Sequence, residues 1–217
     1  MIKLINVTKY YRIKDHKHYI LKDVSFTFPK GKSVGIFGSN GAGKSTFLRM
    51  LGGLEYPNSG KIVSTSSISW PVGLSAGFQG SLTARQNIKF VCQIHNKNRV
   101  ETKQIIDFVS DFAEIGKFFD MPIKTYSSGM KGKINFGLSM AFDFDYFLID
   151  EVTGVGDPSF KAKSKKLFDK KKEESNIIMV SHSMTEMKKN VDIGVVLKDG
   201  QINIYENIDE AIEVYKS

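Results

Sequence analysis

The chain has 217 residues, room for one full domain with a smaller lobe packed against it. Its 41% hydrophobic and 25% charged residues lie near soluble-protein averages, which supplies a sizeable core and excludes wholesale disorder. A single cysteine, Cys92, excludes a disulfide framework, and a net charge of +8 suits nucleic acid, an anionic membrane surface or a polyanionic ligand without choosing among them.

The amino-terminal segment MIKLINVTKYYRIKD has neither the apolar centre nor the small-residue cleavage site of a signal peptide, so the protein is expected to stay on the cytosolic side. SVGIF (33–37) is a short β-rich run followed at once by a glycine-rich turn, and TFLRMLGGL reads as a helix ending at Gly52 and Gly53. A block over roughly 83–140 reads as helical, with Ile105, Phe108, Val109 and Phe112 recurring on one helix face. The longest apolar stretch, FGLSMAFDFDYFLID, is broken by Asp143 and Asp145 and falls short of the ~18 residues of a membrane span. DYFLID (145–150) and NIIMVS (176–181) suit buried parallel strands. Between them KAKSKKLFDKKKEE (161–174) carries seven lysines and reads as a solvated helix face. DIGVVLKDGQINIYE (192–206) reads as a hairpin about Asp199-Gly200, and DEAIEVYK as a closing helix. Strands alternating with helices predict an α/β sheet fold.

Three segments carry chemistry. GSNGAGKS (38–45) fits G-x-x-x-x-G-K-[ST] and lies between a strand and a helix, where that motif must lie. Its glycines let successive N–H groups of Gly38, Ser39, Asn40, Gly41, Ala42 and Gly43 curl round phosphate oxygens. The start of the following helix, with Lys44, Ser45 and Thr46, adds a favourable dipole. Lys44 reaches the β- and γ-phosphates of a nucleotide, and the Ser45 hydroxyl ligates Mg²⁺. In FLIDE (147–151) an apolar strand ends in Asp150, a second metal-side carboxylate, and Glu151 follows where a general base can take a proton from water. YSSGMKGK (126–133) reads on its own as a Ser/Gly turn capping the helix KINFGLSMAF.

YSSGM also resembles the LSGGQ signature of ATP-binding cassette proteins, with Ser127 and Gly129 at matching positions and Tyr126, Ser128 and Met130 departing from it. In this order of motifs the whole chain is similar to an ABC transporter nucleotide-binding domain. That resemblance implies a P-loop core with an N-terminal antiparallel β portion and a helical subdomain inserted at about 83–140, all within one domain spanning 1–217. It further implies ATP and Mg²⁺ as ligands. Gln79 is then the Q-loop glutamine that ligates Mg²⁺ and senses a membrane partner. Asp157 is the aspartate acting across a dimer interface, and His182 the switch histidine contacting the γ-phosphate. Tyr11 matches the aromatic that stacks on adenine, with adjacent Tyr10 and Tyr19 as other candidates.

SWPVGLSAGFQGSLTARQN (69–87), FDMPIKTYSSGMKGK (119–133) and FDYFLIDEVTGVGD (144–157) resemble the ATPase subunits of bacterial capsular polysaccharide exporters. O-antigen and teichoic-acid exporters share the YSSGM form, so an ATPase of that type is the alternative reading, with a soluble ABC-type ATPase acting on nucleic acid a more distant one. The resemblance implies a homodimer, a separate membrane permease, a peripheral place on the cytoplasmic face of the inner membrane, and no nucleic-acid partner. Trp70, Val72, Leu74 and Phe78 supply either a groove for the permease or ordinary core.

Overall fold

The computed structural model describes residues 1–73, 77–150 and 157–216. Strands β1 (Ile2–Ile13) and β2 (His16–Thr27) pair antiparallel; Ile2 and Leu4 turn inward in alternation, and an irregularity at Asn6, at φ 48°, brings Val7 inward next. After β3 (Val34–Phe37) and α1 (Lys44–Leu51), β4 (Ser59–Ser64) joins the other edge of β1, giving a sheet in the order β2-β1-β4.

The second sheet adds β5 (Ile68–Pro71), β6 (Tyr146–Asp150), β7 (Asn176–Val180), β8 (Ile193–Lys198) and β9 (Gln201–Tyr205), in the order β5-β6-β7-β3-β8-β9. Its strands run parallel except β9, which returns antiparallel from β8. The hairpin turns at Asp199 and Gly200, both at positive φ (52° and 76°), as a two-residue turn matching strand twist requires. β3, β6 and β7 are buried apolar runs, as expected of central parallel strands covered on both faces. Phe47, Leu48, Met50 and Leu51 of α1 pack into one cluster with Ile36, Leu148, Ile178 and Val195 of this sheet and Leu4 and Leu21 of the other. The α/β fold expected from the sequence is the fold found.

The chain forms two compact units. The one just described takes in Met1–Pro71, Phe144–Val152 and Ser175–Ser217. The other takes in Val72–Asp143 and Thr153–Glu174, wider than the 83–140 block read from the sequence because a later helix joins it. It contains α2 (Ala84–Ile94), α3 (Arg99–Ala113), α4 (Ser128–Met140) and α5 (Pro158–Glu174). Thr83 and Asn98 begin α2 and α3 with full capping boxes, through Gln86 and Glu101. Phe112 of α3, Phe136 of α4 and Phe160 of α5 cluster at centroid distances of 5.1–6.4 Å. The lysine-rich run is helical, but not every lysine is simply solvated. Lys163 donates to the Phe112 carbonyl at the end of α3 (3.1 Å), and Lys171 to the Phe142 carbonyl beyond α4 (3.2 Å). Cations at helix C-termini satisfy orphan carbonyls and complement the helix dipole. The C-terminal segment adds α6 (Met184–Asn190) and α7 (Ile208–Lys216) to the first unit.

Candidate functional site

Sheet order brings three motif positions together. β6, β7 and β3 are neighbouring parallel strands, so their carboxyl ends lie on one edge, where ligands of open α/β sheets bind. Asp150 ends β6, His182 follows β7, and the glycine-rich loop follows β3. The loop enters α1 through Gly43, whose φ of 94° is left-handed and whose absent Cβ would lie 2.3 Å from Ile20. No other residue fits there. The Lys44 ammonium lies across the carbonyls of Gly38 (2.7 Å) and Ser39 (3.1 Å). Ser45 Oγ donates to Asp150 Oδ1 at 3.2 Å, so the hydroxyl and the carboxylate that the two motifs predicted at a metal are in contact. Thr46 is buried, and its hydroxyl faces Tyr11 and Arg49 rather than the loop.

His182 is exposed in a turn stitched by Ser181, Ser183 and Glu186: Ser181 Oγ donates to Glu186 Oε2, and Ser183 caps α6. Tyr11 retains 39% exposure, with its hydroxyl on Thr46 and Glu55. Its cross-strand neighbour His18, which sequence reasoning passed over, reaches the Gly41 carbonyl with Nε2 at 3.3 Å. Tyr10 and Tyr19 pack against each other instead, with ring centroids 5.5 Å apart and planes tilted by 52°. Glu151 and Leu74 lie outside the described residues. Trp70 is buried edge-on against Phe144, so it is core and not the wall of an exposed groove; Val72 and Phe78 are half-buried.

The second unit holds the remaining positions. Ser127 is the N-cap of α4, accepting from the Met130 N–H at 3.2 Å. Ser127, Gly129 and Asp157 line one cavity of about 640 Å³ together with Glu114, Met130 and Lys133. Asp157 accepts from Ser159 Oγ (2.6 Å), the Phe160 N–H (3.0 Å) and Lys133 Nζ (3.2 Å). These bonds, Ser159 first, hold its carboxyl far below the usual carboxylate range, so it stays ionised at any physiological pH. Gln79 is exposed, but its backbone is fixed by a buried side chain. Asn87 accepts from the Gln79 N–H (2.7 Å) and donates to the carbonyls of Gln79 (3.1 Å) and Thr83 (2.9 Å). Backbone bonds from Ile123 to Leu82 and from Lys124 to Gly80 (both 2.9 Å) tie the same loop to the segment leading into Ser127. Asn87→Ala is expected to lower stability by about 1–3 kcal/mol, the scale of leaving buried polar partners unpaired. The urea midpoint should fall with the slope unchanged; an unaltered midpoint would remove Asn87 from the loop's support.

A family profile for ABC transporters matches residues 21–154. The chain belongs to the ABC transporter family. This cassette is 54% identical over its whole length to the polysialic acid transport ATP-binding protein KpsT of Escherichia coli, covering 96% of that protein. It is 45% identical, again over its whole length, to the capsule polysaccharide export ATP-binding protein CtrD of Neisseria meningitidis serogroup B, covering 99% of it. Among solved structures, the dimeric bacterial ABC transporter cassette MJ0796 superposes with a TM-score of 0.72 at 24% identity, over 95% of this chain and 98% of that one. That match concerns the fold alone.

Proposed function

We propose that the chain is the ATP-hydrolysing subunit of a bacterial capsular polysaccharide exporter, working as a homodimer on the cytoplasmic face of the inner membrane beside a separate permease. Whole-length identity of 54% and 45% to two capsule-type export subunits supports the cargo. Support for the chemistry comes from the Ser45–Asp150 contact beneath the glycine-rich loop.

The N–H groups from Gly38 to Thr46 and the Lys44 ammonium hold the nucleotide's phosphates. Ser45 and Asp150 offer the hard oxygen donors that Mg²⁺ accepts beside phosphate and water, with Gln79 as a further ligand. The ion would supply charge neutralisation at the β- and γ-phosphates. Glu151 takes the proton of the attacking water, and His182 contacts the γ-phosphate. In-line transfer to water needs little covalent work from the protein, so positioning and charge stabilisation dominate. Ser127, Gly129 and Asp157, grouped in their own cavity, serve the ATP of the second protomer. Hydrolysis is thereby tied to closure of the dimer.

Replacing the chromosomal copy with Lys44→Ala tests this reading. Surface polysaccharide is expected to vanish and to accumulate inside the cell, and the tagged full chain should copurify with a multi-span membrane protein. Normal surface polysaccharide, or a chain that copurifies with RNA or DNA in place of a membrane protein, would overturn it.

A further inference from the structure

Behind Tyr11 lies a network of polar side chains that no motif marks. Glu55 follows the turn that closes α1, and its carboxylate receives three donors: the Tyr11 hydroxyl, Lys9 Nζ at 2.8 Å and Arg49 Nε at 3.1 Å. Arg49 also donates to Thr46 Oγ1 at 3.0 Å, and that hydroxyl lies 3.3 Å from the Tyr11 hydroxyl. Lys9 is 8% exposed, donates to the Tyr56 carbonyl at 2.9 Å, and lies over one face of the Tyr11 ring, 5.1 Å from its centroid. Burial works against the Glu55 carboxylate, yet the bonds from Lys9, Tyr11 and Arg49 outweigh it and hold its pKa below the ordinary value. It is ionised and fully engaged.

We propose that Glu55 is a positioning residue for nucleotide binding: it latches the Tyr11 hydroxyl to α1, so that the ring's open face is set for the base before nucleotide arrives. This rests on the reading of Tyr11 as the adenine platform. A tyrosine on an exposed strand must otherwise lose its rotamer freedom when the base stacks, and fixing it beforehand removes that loss from binding. Lys9 occupies one ring face, the hydroxyl is held at both Glu55 and Thr46, and 39% of the residue remains open to a ligand. Thr46 and Arg49 belong to the helix that begins at Lys44, so the same bonds fix the ring's place relative to the phosphate loop.

Equilibrium binding of ATP and of inorganic triphosphate, which has no base, separates this latch from a purely structural ion pair. Tyr11→Ala should weaken ATP about fivefold or more, the low end for removing one aromatic–base stack, and leave triphosphate unchanged. Tyr11→Phe, which keeps the ring, and Glu55→Gln should each weaken ATP about threefold with triphosphate unaffected. Their double variant should be no weaker than the worse single variant to within about twofold, as for two ends of one interaction. Should Tyr11→Ala weaken ATP while Tyr11→Phe and Glu55→Gln do not, the latch is overturned and the platform stands. If Glu55→Gln weakens ATP and triphosphate equally, or adds to Tyr11→Phe, Glu55 acts through α1 alone and the latch again fails. ATP binding untouched by Tyr11→Ala removes the platform, and the latch with it.

Discussion

Glu151→Gln is expected to bind ATP as the wild type does and to hydrolyse it at least ~10²-fold more slowly, the scale of losing a general base. Asp150 is committed to Ser45 at 3.2 Å, which fits a metal-side carboxylate and leaves the proton to another group. The residue that follows Asp150 in the chain is Glu151. Glutamine keeps the size and the hydrogen-bonding reach of glutamate but cannot take a proton. Binding should therefore survive while chemistry fails, a fall in kcat without a matching change in affinity. Near-normal turnover by this variant would assign the base elsewhere.

The second large effect is one of complementation. Ser127→Arg and Lys44→Ala should each be inactive alone, and mixing them should restore hydrolysis. Ser127 is an exposed N-cap on the wall of the 640 Å³ cavity, so under the proposed function arginine there would fill the space meant for a partner's triphosphate. Loss of the cap itself costs only ~1 kcal/mol, too little to unfold the protein. In a twofold dimer of one chain of each kind, one interface pairs an intact Lys44 with an intact Ser127 and the other pairs both defects. Random mixing makes half the dimers mixed, with one good site of two, so about a quarter of wild-type hydrolysis should return if the sites act independently. No recovery over a range of mixing ratios, with mixed dimers demonstrably present, would argue against sites shared between protomers.

Local chemistry explains why so much could be read from residues alone. The glycine-rich loop needs left-handed backbone at Gly43, and the apolar runs of β3, β6 and β7 need cover on both faces; both leave marks in sequence. The hairpin at Asp199-Gly200 is equally local. What escaped depends on residues far apart in the chain. Tyr11 and Glu55 are separated by 44 positions, and nothing in either segment foretells their bond. Phe160 is the one fully buried residue of a helix otherwise crowded with lysines, so the membership of α5 in the helical unit was hidden by its charge. Phe108 fits the apolar face of α3 by spacing yet is 37% exposed, stacked on Phe112 at the rim of the aromatic cluster. Asn87 reads as an ordinary helix residue until its three bonds to the Gln79–Thr83 loop are seen.

The molecular mass of Glu151→Gln in solution, measured with and without saturating Mg-ATP, tests the shared-site dimer most directly. If each ATP is held between one protomer's loop and the other's Ser127, the variant with ATP should appear at twice the 24.4 kDa chain mass, carrying two nucleotides. Without nucleotide the dimer should weaken, and Ser127→Arg added to the same chain should abolish the ATP-induced particle. A variant that stays at 24.4 kDa while saturated with ATP, beside a wild type that hydrolyses ATP at that same mass, would contradict the account.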